Sequence, residues 1–183
     1  KDVYNERVES FLFKDPFAET LEGRARPHFF PGVIDVVSRL FNIVSPDYSY
    51  FGKKDAQQLI LIKKLVQLAG FSIKIVPVDT VREKNGLAMS SRNKYLSPKS
   101  RRIASCLYNS LIVGENLLLR GKADVNLIKI EMYKIIQKFE GVVVDYISIV
   151  CLDELKEIKG DVSGPALLSV AVDLEGVRLI DSI

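Results

Sequence analysis

The 183-residue chain carries 48% apolar, 27% charged and 9% aromatic side chains, with a formal net charge of +3. That composition can fill one or two packed cores and excludes the disordered, collagen-like and low-complexity classes. No apolar run approaches the ~18 residues of a membrane-spanning helix, residues 1–10 lack the apolar centre of a signal peptide, and Cys106 and Cys151 fit no metal or redox spacing, so the expectation is a cytoplasmic protein with reduced thiols and no membrane partner.

The small total charge hides an asymmetry. Residues 1–50 hold six basic and eight acidic side chains, residues 51–103 twelve and three, and residues 104–183 eight and twelve. A cationic central third favours an anionic ligand such as a nucleotide, a phosphorylated metabolite or a nucleic-acid backbone. A solvated basic face is the other reading of the same count.

In chain order, residues 8–13 read as a strand, broken by Asp15-Pro16. Val33, Val36, Val37, Leu40, Phe41 and Val44 follow the spacing of an amphipathic helix that begins at Pro31 and stops at Ser45-Pro46. Tyr48 to Gly52 reads as a short aromatic strand. Asp55, with Gln58 three residues on, predicts a capped helix over 56–69 ended by Gly70. The nearly continuous apolar run 71–78 predicts a strand of a buried parallel sheet. Residues 79–100 match no strand pattern. Beyond them one helix is predicted from Pro98 to Arg120 and a second from Asp124, with Val125, Ile128, Met132, Ile135, Ile136 and Phe139 on its apolar face. Strands over 142–150, 165–172 and 177–180 complete the chain, the last two joined by a hairpin turn at residues 173–176.

The expected fold class is therefore α/β. Residues 1–90 form part of a Rossmann-like, doubly wound parallel sheet, and residues 91–183 form a small α+β C-terminal domain, with the boundary between Ser90 and Pro98. In doubly wound sheets ligands lie beyond the carboxyl ends of the strands, which is where Gly52, Lys53, Lys54 and Asp55 fall. Gly52 lets a ligand approach the backbone, the lysines add charge beside a helix N-terminus, and Gln58 offers an amide to a hydroxy acid. Met89, Ser90, Ser91 and Arg92 place two hydroxyls and a guanidinium on what reads as a mobile loop, a candidate polyphosphate clamp. Solvated lysines and a serine-rich hinge remain the plain alternatives. Walker, zincin and nucleophile-elbow motifs are absent from these residues, and His28 is the lone histidine.

The strings Phe51-Gly-Lys-Lys-Asp-Ala-Gln-Gln58 and Gly86-Leu-Ala-Met-Ser-Ser-Arg-Asn-Lys-Tyr-Leu-Ser97 closely resemble the pantoate–β-alanine ligase family. The likeness extends over Leu21–Gly23, Arg26-Pro27, Gly32-Val33, Val36-Val37, Leu40–Val44, Pro46-Asp47, Val81–Glu83 and Arg178–Asp181, nearly the whole chain. The resemblance implies an AMP-forming ligase. In the family's reaction pantoate attacks the α-phosphate of ATP, with Mg²⁺ assisting, and β-alanine then attacks the pantoyl adenylate. It implies Lys54 and Arg92 as catalytic cations meeting on one triphosphate. Gly52, Lys53, Asp55, Val81, Met89, Ser90 and Ser91 join those two in ATP binding, with Asp55 near the ribose, Val81 near the adenine, and Gln58 on pantoate. No resident metal site is implied.

The family's His-x-Gly-His turn and an early pantoate-binding glutamine are not in these residues. The resemblance therefore implies the C-terminal two-thirds of the ligase, inactive alone and a homodimer when complete. Two smaller departures are Arg26-Pro27-His28-Phe29-Phe30, where relatives read Arg-Pro-Gly-His-Phe, and Lys53, where many carry Glu. A basic nucleic-acid-binding module and a non-catalytic nucleotide-binding fragment are the competing readings; the first would need aromatic platforms beside the cations, for which Phe51 and Tyr95 are available.

Overall fold

The computed structural model describes residues 3–4, 8–121, 124–152 and 155–183. The chain forms two compact units, Lys1–Asp79 and Thr80–Ile183. The expected division after residue 90 lies beyond this point. Residues 81–89 fold back on themselves, with Met89 N–H donating to Val81 O at 2.9 Å and Glu83 N–H to Leu87 O at 2.8 Å, and Leu87 joins the core of the second unit.

The first unit holds helices α1 (Leu21–Ala25), α2 (Phe29–Val44) and α3 (Ala56–Ala69) with strands β1 (Tyr48–Gly52) and β2 (Lys74–Val78). β1 and β2 pair in parallel, Tyr48 opposite Lys74 and Gly52 opposite Val78. Ile34 and Phe41 of α2 meet Ile62 and Leu65 of α3, and Phe51 and Ile75 from the strands pack on the same cluster. Each such side chain contributes about 1.5–3 kcal/mol when fully buried. Gly70 closes α3 in the left-handed conformation, φ 69°, as its position suggests.

Three expectations need correction here. α2 begins at Phe29, two residues before Pro31, and its buried line runs through Phe30, Ile34, Ser38 and Phe41, while Leu40 and Val44 face solvent. Residues 8–13 form no strand; Phe11 and Phe13 pack into the core individually, and Phe11 N–H donates to Ser38 Oγ at 3.0 Å instead of to a ladder. The second strand, Lys74–Val78, is shorter than the expected 71–78.

The second unit holds α4 (Pro98–Ile103), α5 (Cys106–Leu119), α6 (Val125–Ile136) and strands β3 (Val142–Cys151), β4 (Lys156–Glu157), β5 (Ala166–Leu174) and β6 (Val177–Ser182). The strands form an antiparallel sheet in the order β4-β3-β5-β6. Leu107 and Leu111 of α5 and Ile128, Met132 and Ile136 of α6 share one core with Ile149, Val170, Val172 and Leu179 of the sheet. Asp124 caps α6, its carboxylate accepting from Leu127 N–H at 2.7 Å, worth about 1 kcal/mol. The β5–β6 turn places Glu175 and Gly176 at positive φ, 55° and 78°, as a two-residue hairpin requires. The predicted helix 98–120 is two helices, parted at Ala104-Ser105, and β4 carries no signal in the sequence. Mixed α/β architecture with a parallel sheet followed by a separate antiparallel one is as expected. No helix among the described residues is long and apolar enough to cross a membrane.

Candidate active site

The parallel register sets the carboxyl ends of β1 and β2 side by side, so Gly52-Lys53-Lys54-Asp55 and Asp79 crown one end of the pair. Lys53–Asp55 form a 3-10 turn leading into α3. Lys53 Nζ donates to Asp79 Oδ1 at 2.6 Å, and hydrogen bonding and charge from that lysine hold the Asp79 carboxyl below its ordinary range. Lys54 is the more enclosed cation, its side chain 17% exposed with Nζ 3.8 Å from Asp55 Oδ1. Asp55 stands at the N-cap position but makes no side-chain cap bond. The expected capping box is therefore not formed, and the carboxylate faces the lysine beside it. Gly52, at φ −70°, needs no glycine for its conformation, and an added Cβ would meet nothing within 4 Å. Nothing among the described residues demands glycine there.

The two glutamines that open α3 divide their labour. Gln57 is buried and structural: its Nε2 donates to Phe17 O at 2.5 Å and Thr20 O at 3.0 Å, and its Oε1 accepts from Glu22 N–H at 3.1 Å. Gln58 is half-buried, and its side chain makes no hydrogen bond among the described residues.

The second group lies wholly in the second unit. Val81 and Met89 are joined by the 2.9 Å backbone bond, yet their side chains are 63% and 59% exposed. Ser90 caps a 3-10 helix over Ser91–Tyr95, its Oγ accepting from Arg92 N–H at 3.2 Å. The segment that reads as a mobile loop is thus an ordered turn. Ser91 is exposed, and Arg92 Nη1 donates to Arg178 O at 3.1 Å. Buried Asn93 donates to Ala88 O and to Glu83 Oε1, both at 3.1 Å, and Glu83 takes three further bonds from Arg101 Nε and Nη2. Arg101, then Asn93, outweighs the opposing effect of burial and holds the Glu83 carboxyl below its usual 4.5.

Sequence reasoning gave no part to Asp79, Arg82, Glu83, Asn93, Arg101 or Asp181. The available signal was that Arg82, Glu83, Asn93 and Asp181 lie within the family-like strings. His28 sits at the N-cap position of α2 without a side-chain cap bond. Among the described residues no three His, Cys, Asp or Glu side chains gather into a metal-holding group.

Comparison with known proteins agrees with the motifs. The family model for pantoate-beta-alanine ligase matches residues 1–183. The pantothenate synthetases of Acetivibrio thermocellus and Caldicellulosiruptor bescii are 39% and 42% identical over 183 residues, all of this chain and 65% and 64% of their own lengths. The crystal structure of pantothenate synthetase from Thermus thermophilus superposes with a TM-score of 0.92 at 36% identity, over 100% of this chain and 66% of that one. A Francisella tularensis pantoate-beta-alanine ligase, complexed with beta-gamma ATP and beta-alanine, gives a TM-score of 0.67 at 29% identity, over 96% of this chain and 58% of that one. The chain therefore spans slightly less than two thirds of the relatives it matches, and within that span it belongs to the pantoate–β-alanine ligase family.

Proposed function

We propose that these residues serve an ATP-dependent condensation of pantoate with β-alanine. The observation that carries the reading is the Gly52–Asp55 turn at the carboxyl ends of two parallel strands, where a doubly wound sheet binds its ligand. The space beside Gly52 suits close approach of a nucleotide. Lys54 supplies a cation for the phosphates, and Asp55 accepts from a ribose hydroxyl. The paired, exposed side chains of Val81 and Met89 suit the flat face of adenine. Ser90 accepts a backbone bond and keeps its own hydroxyl proton to donate, so with Ser91 and Arg92 it can bind phosphate oxygens.

In the first step a pantoate carboxylate oxygen, oriented by Gln58, bonds to the α-phosphorus as the bond to pyrophosphate breaks. In the second the β-alanine amine bonds to the acyl carbon and AMP leaves. Negative charge gathers at the α-phosphate, and fixed cations stabilise it without a side-chain nucleophile. Mg²⁺ needs few protein ligands and commonly rides on substrate phosphates.

The central charge does not favour a nucleic-acid groove. Lys53, Lys64, Arg82 and Arg101 each hold a carboxylate. The exposed Leu40, Ile43, Val44, Tyr48 and Tyr50 form a surface that would pair with the rest of the ligase chain or with another copy, and the complete enzyme is proposed, from the family resemblance, as a cytoplasmic homodimer. Because the family's His-x-Gly-His turn is not among these 183 residues, turnover by them alone is not part of the proposal. The test is substitution in the complete ligase. Lys54→Ala and Arg92→Ala should each slow adenylate formation by roughly 10²–10³, the scale for one lost electrostatic stabiliser. Wild-type rates in either variant would remove that residue from its role.

A further inference from the structure

Strand β6 grips the segment that carries Ser90, Ser91 and Arg92 at two points. One is the Arg178 carbonyl, bonded by Arg92. The other is Asp181, whose side chain is 2% exposed. Its carboxylate accepts from Arg82 Nη1 at 2.5 Å and Nη2 at 3.1 Å, and from Ser182 N–H at 2.9 Å. The same guanidinium donates to Gly86 O at 3.2 Å and lies 3.9 Å over the Tyr108 ring. Gly86, at φ +90°, could not carry a side chain there, since a Cβ would come within 2.5 Å of that ring. One planar fork thus ties β6, the turn at Gly86 and α5 together.

A buried ion pair is a weak source of stability, because desolvation offsets most of the attraction. What two bonds to a rigid fork do supply is direction. Arg82 pairs with Ala88 across the hairpin, and Ala88 is the residue before Met89. A shift of the Arg82 side chain therefore carries directly to the start of the Met89–Arg92 segment.

We propose that Asp181 is a positioning residue that, through Arg82, sets the register of the 81–89 hairpin and so aims Met89–Arg92 at the nucleotide phosphates. The role rests on the phosphate-binding reading of that segment. The test compares wild type, Asp181→Asn and Arg82→Lys by amide hydrogen exchange on the complete ligase. The asparagine keeps the shape and loses the charge, and the lysine cannot bridge Asp181 and Gly86 together. Exchange at Met89 and Asn93 should rise about tenfold or more through local opening, with Ile128 and Met132 of α6 unchanged. Arg82→Lys should move the same amides less, and it decides the matter if Asp181→Asn does not fold. Unchanged exchange at Met89 and Asn93, or equal loss in α6, would overturn the proposal.

Titration of wild type, Asp181→Asn and Arg92→Ala, each as the complete ligase, with MgATP separates the two readings. If Arg92→Ala weakens binding and Asp181→Asn does not, the positioning role fails. If neither variant moves the affinity while exchange responds as expected, the phosphate-binding reading fails and the anchor stands.

Discussion

Cys106 is fully buried in α5, whereas Cys151 closes β3 half-exposed, and both are free thiols. Burial pushes the Cys106 thiol up to about 11, against a smaller downward pull from backbone N–H groups. Reactivity follows the thiolate and its access. Iodoacetamide near neutral pH should therefore label Cys151 and spare Cys106 in the folded chain, and label both in denaturant, as read by peptide mass. Rapid labelling of Cys106 in the folded chain would contradict this burial. At the same scale, Gly23 stands in the family-like string Leu21–Gly23 for a reason only the structure supplies. A Cβ there would sit 1.6 Å from Ala18 O, a backbone atom that cannot step aside. Gln57 and Gln58 make the converse point. Adjacent and identical in type, they differ only in which way the helix turns them, and only the packed α3 shows that Gln57 is tied to Phe17, Thr20 and Glu22.

Elements with both a period and a punctuation mark were legible. α6 has its Asp124 cap and α3 its Gly70 stop where expected, although α6 ends at Ile136 and leaves Phe139, expected on its apolar face, beyond the helix. The break between α4 and α5 was not, because it lacks a proline or glycine. Ala104 is wholly buried, and the Ser105 hydroxyl donates back to Arg102 O at 2.8 Å, a local bond that competes with helix continuation. The 81–96 segment was equally opaque. Its order comes from Glu83, Asn93 and Arg101 meeting across the turn, which has no hydropathy period. That network has a pH signature. Glu83 is held below 4.5, chiefly by Arg101, so its stabilising effect is complete above that value and is lost as acid protonates it at a lower pH. Between about pH 5 and pH 3, stability should fall less steeply in Glu83→Gln than in wild type, measured by urea denaturation. Parallel curves would remove Glu83 from the network's energetics.

For the whole molecule, the division of charge was readable by counting, and it singled out the third of the chain that holds both candidate groups. Counting could not tell which cations were already engaged. Lys53, Arg82 and Arg101 pair with Asp79, Asp181 and Glu83, while Lys54 lies 3.8 Å from Asp55 and Arg92 bonds the Arg178 carbonyl. The proposed chemistry depends on Lys54 and Arg92. The central claim is that the ligase carrying these residues activates a carboxylate on the α-phosphate of ATP. Isotope exchange between pyrophosphate and ATP in that complete ligase tests it most directly. The account predicts exchange that requires pantoate, proceeds without β-alanine and is nearly abolished by Lys54→Ala or Arg92→Ala. Exchange indifferent to pantoate, or absent until β-alanine is added, would contradict it.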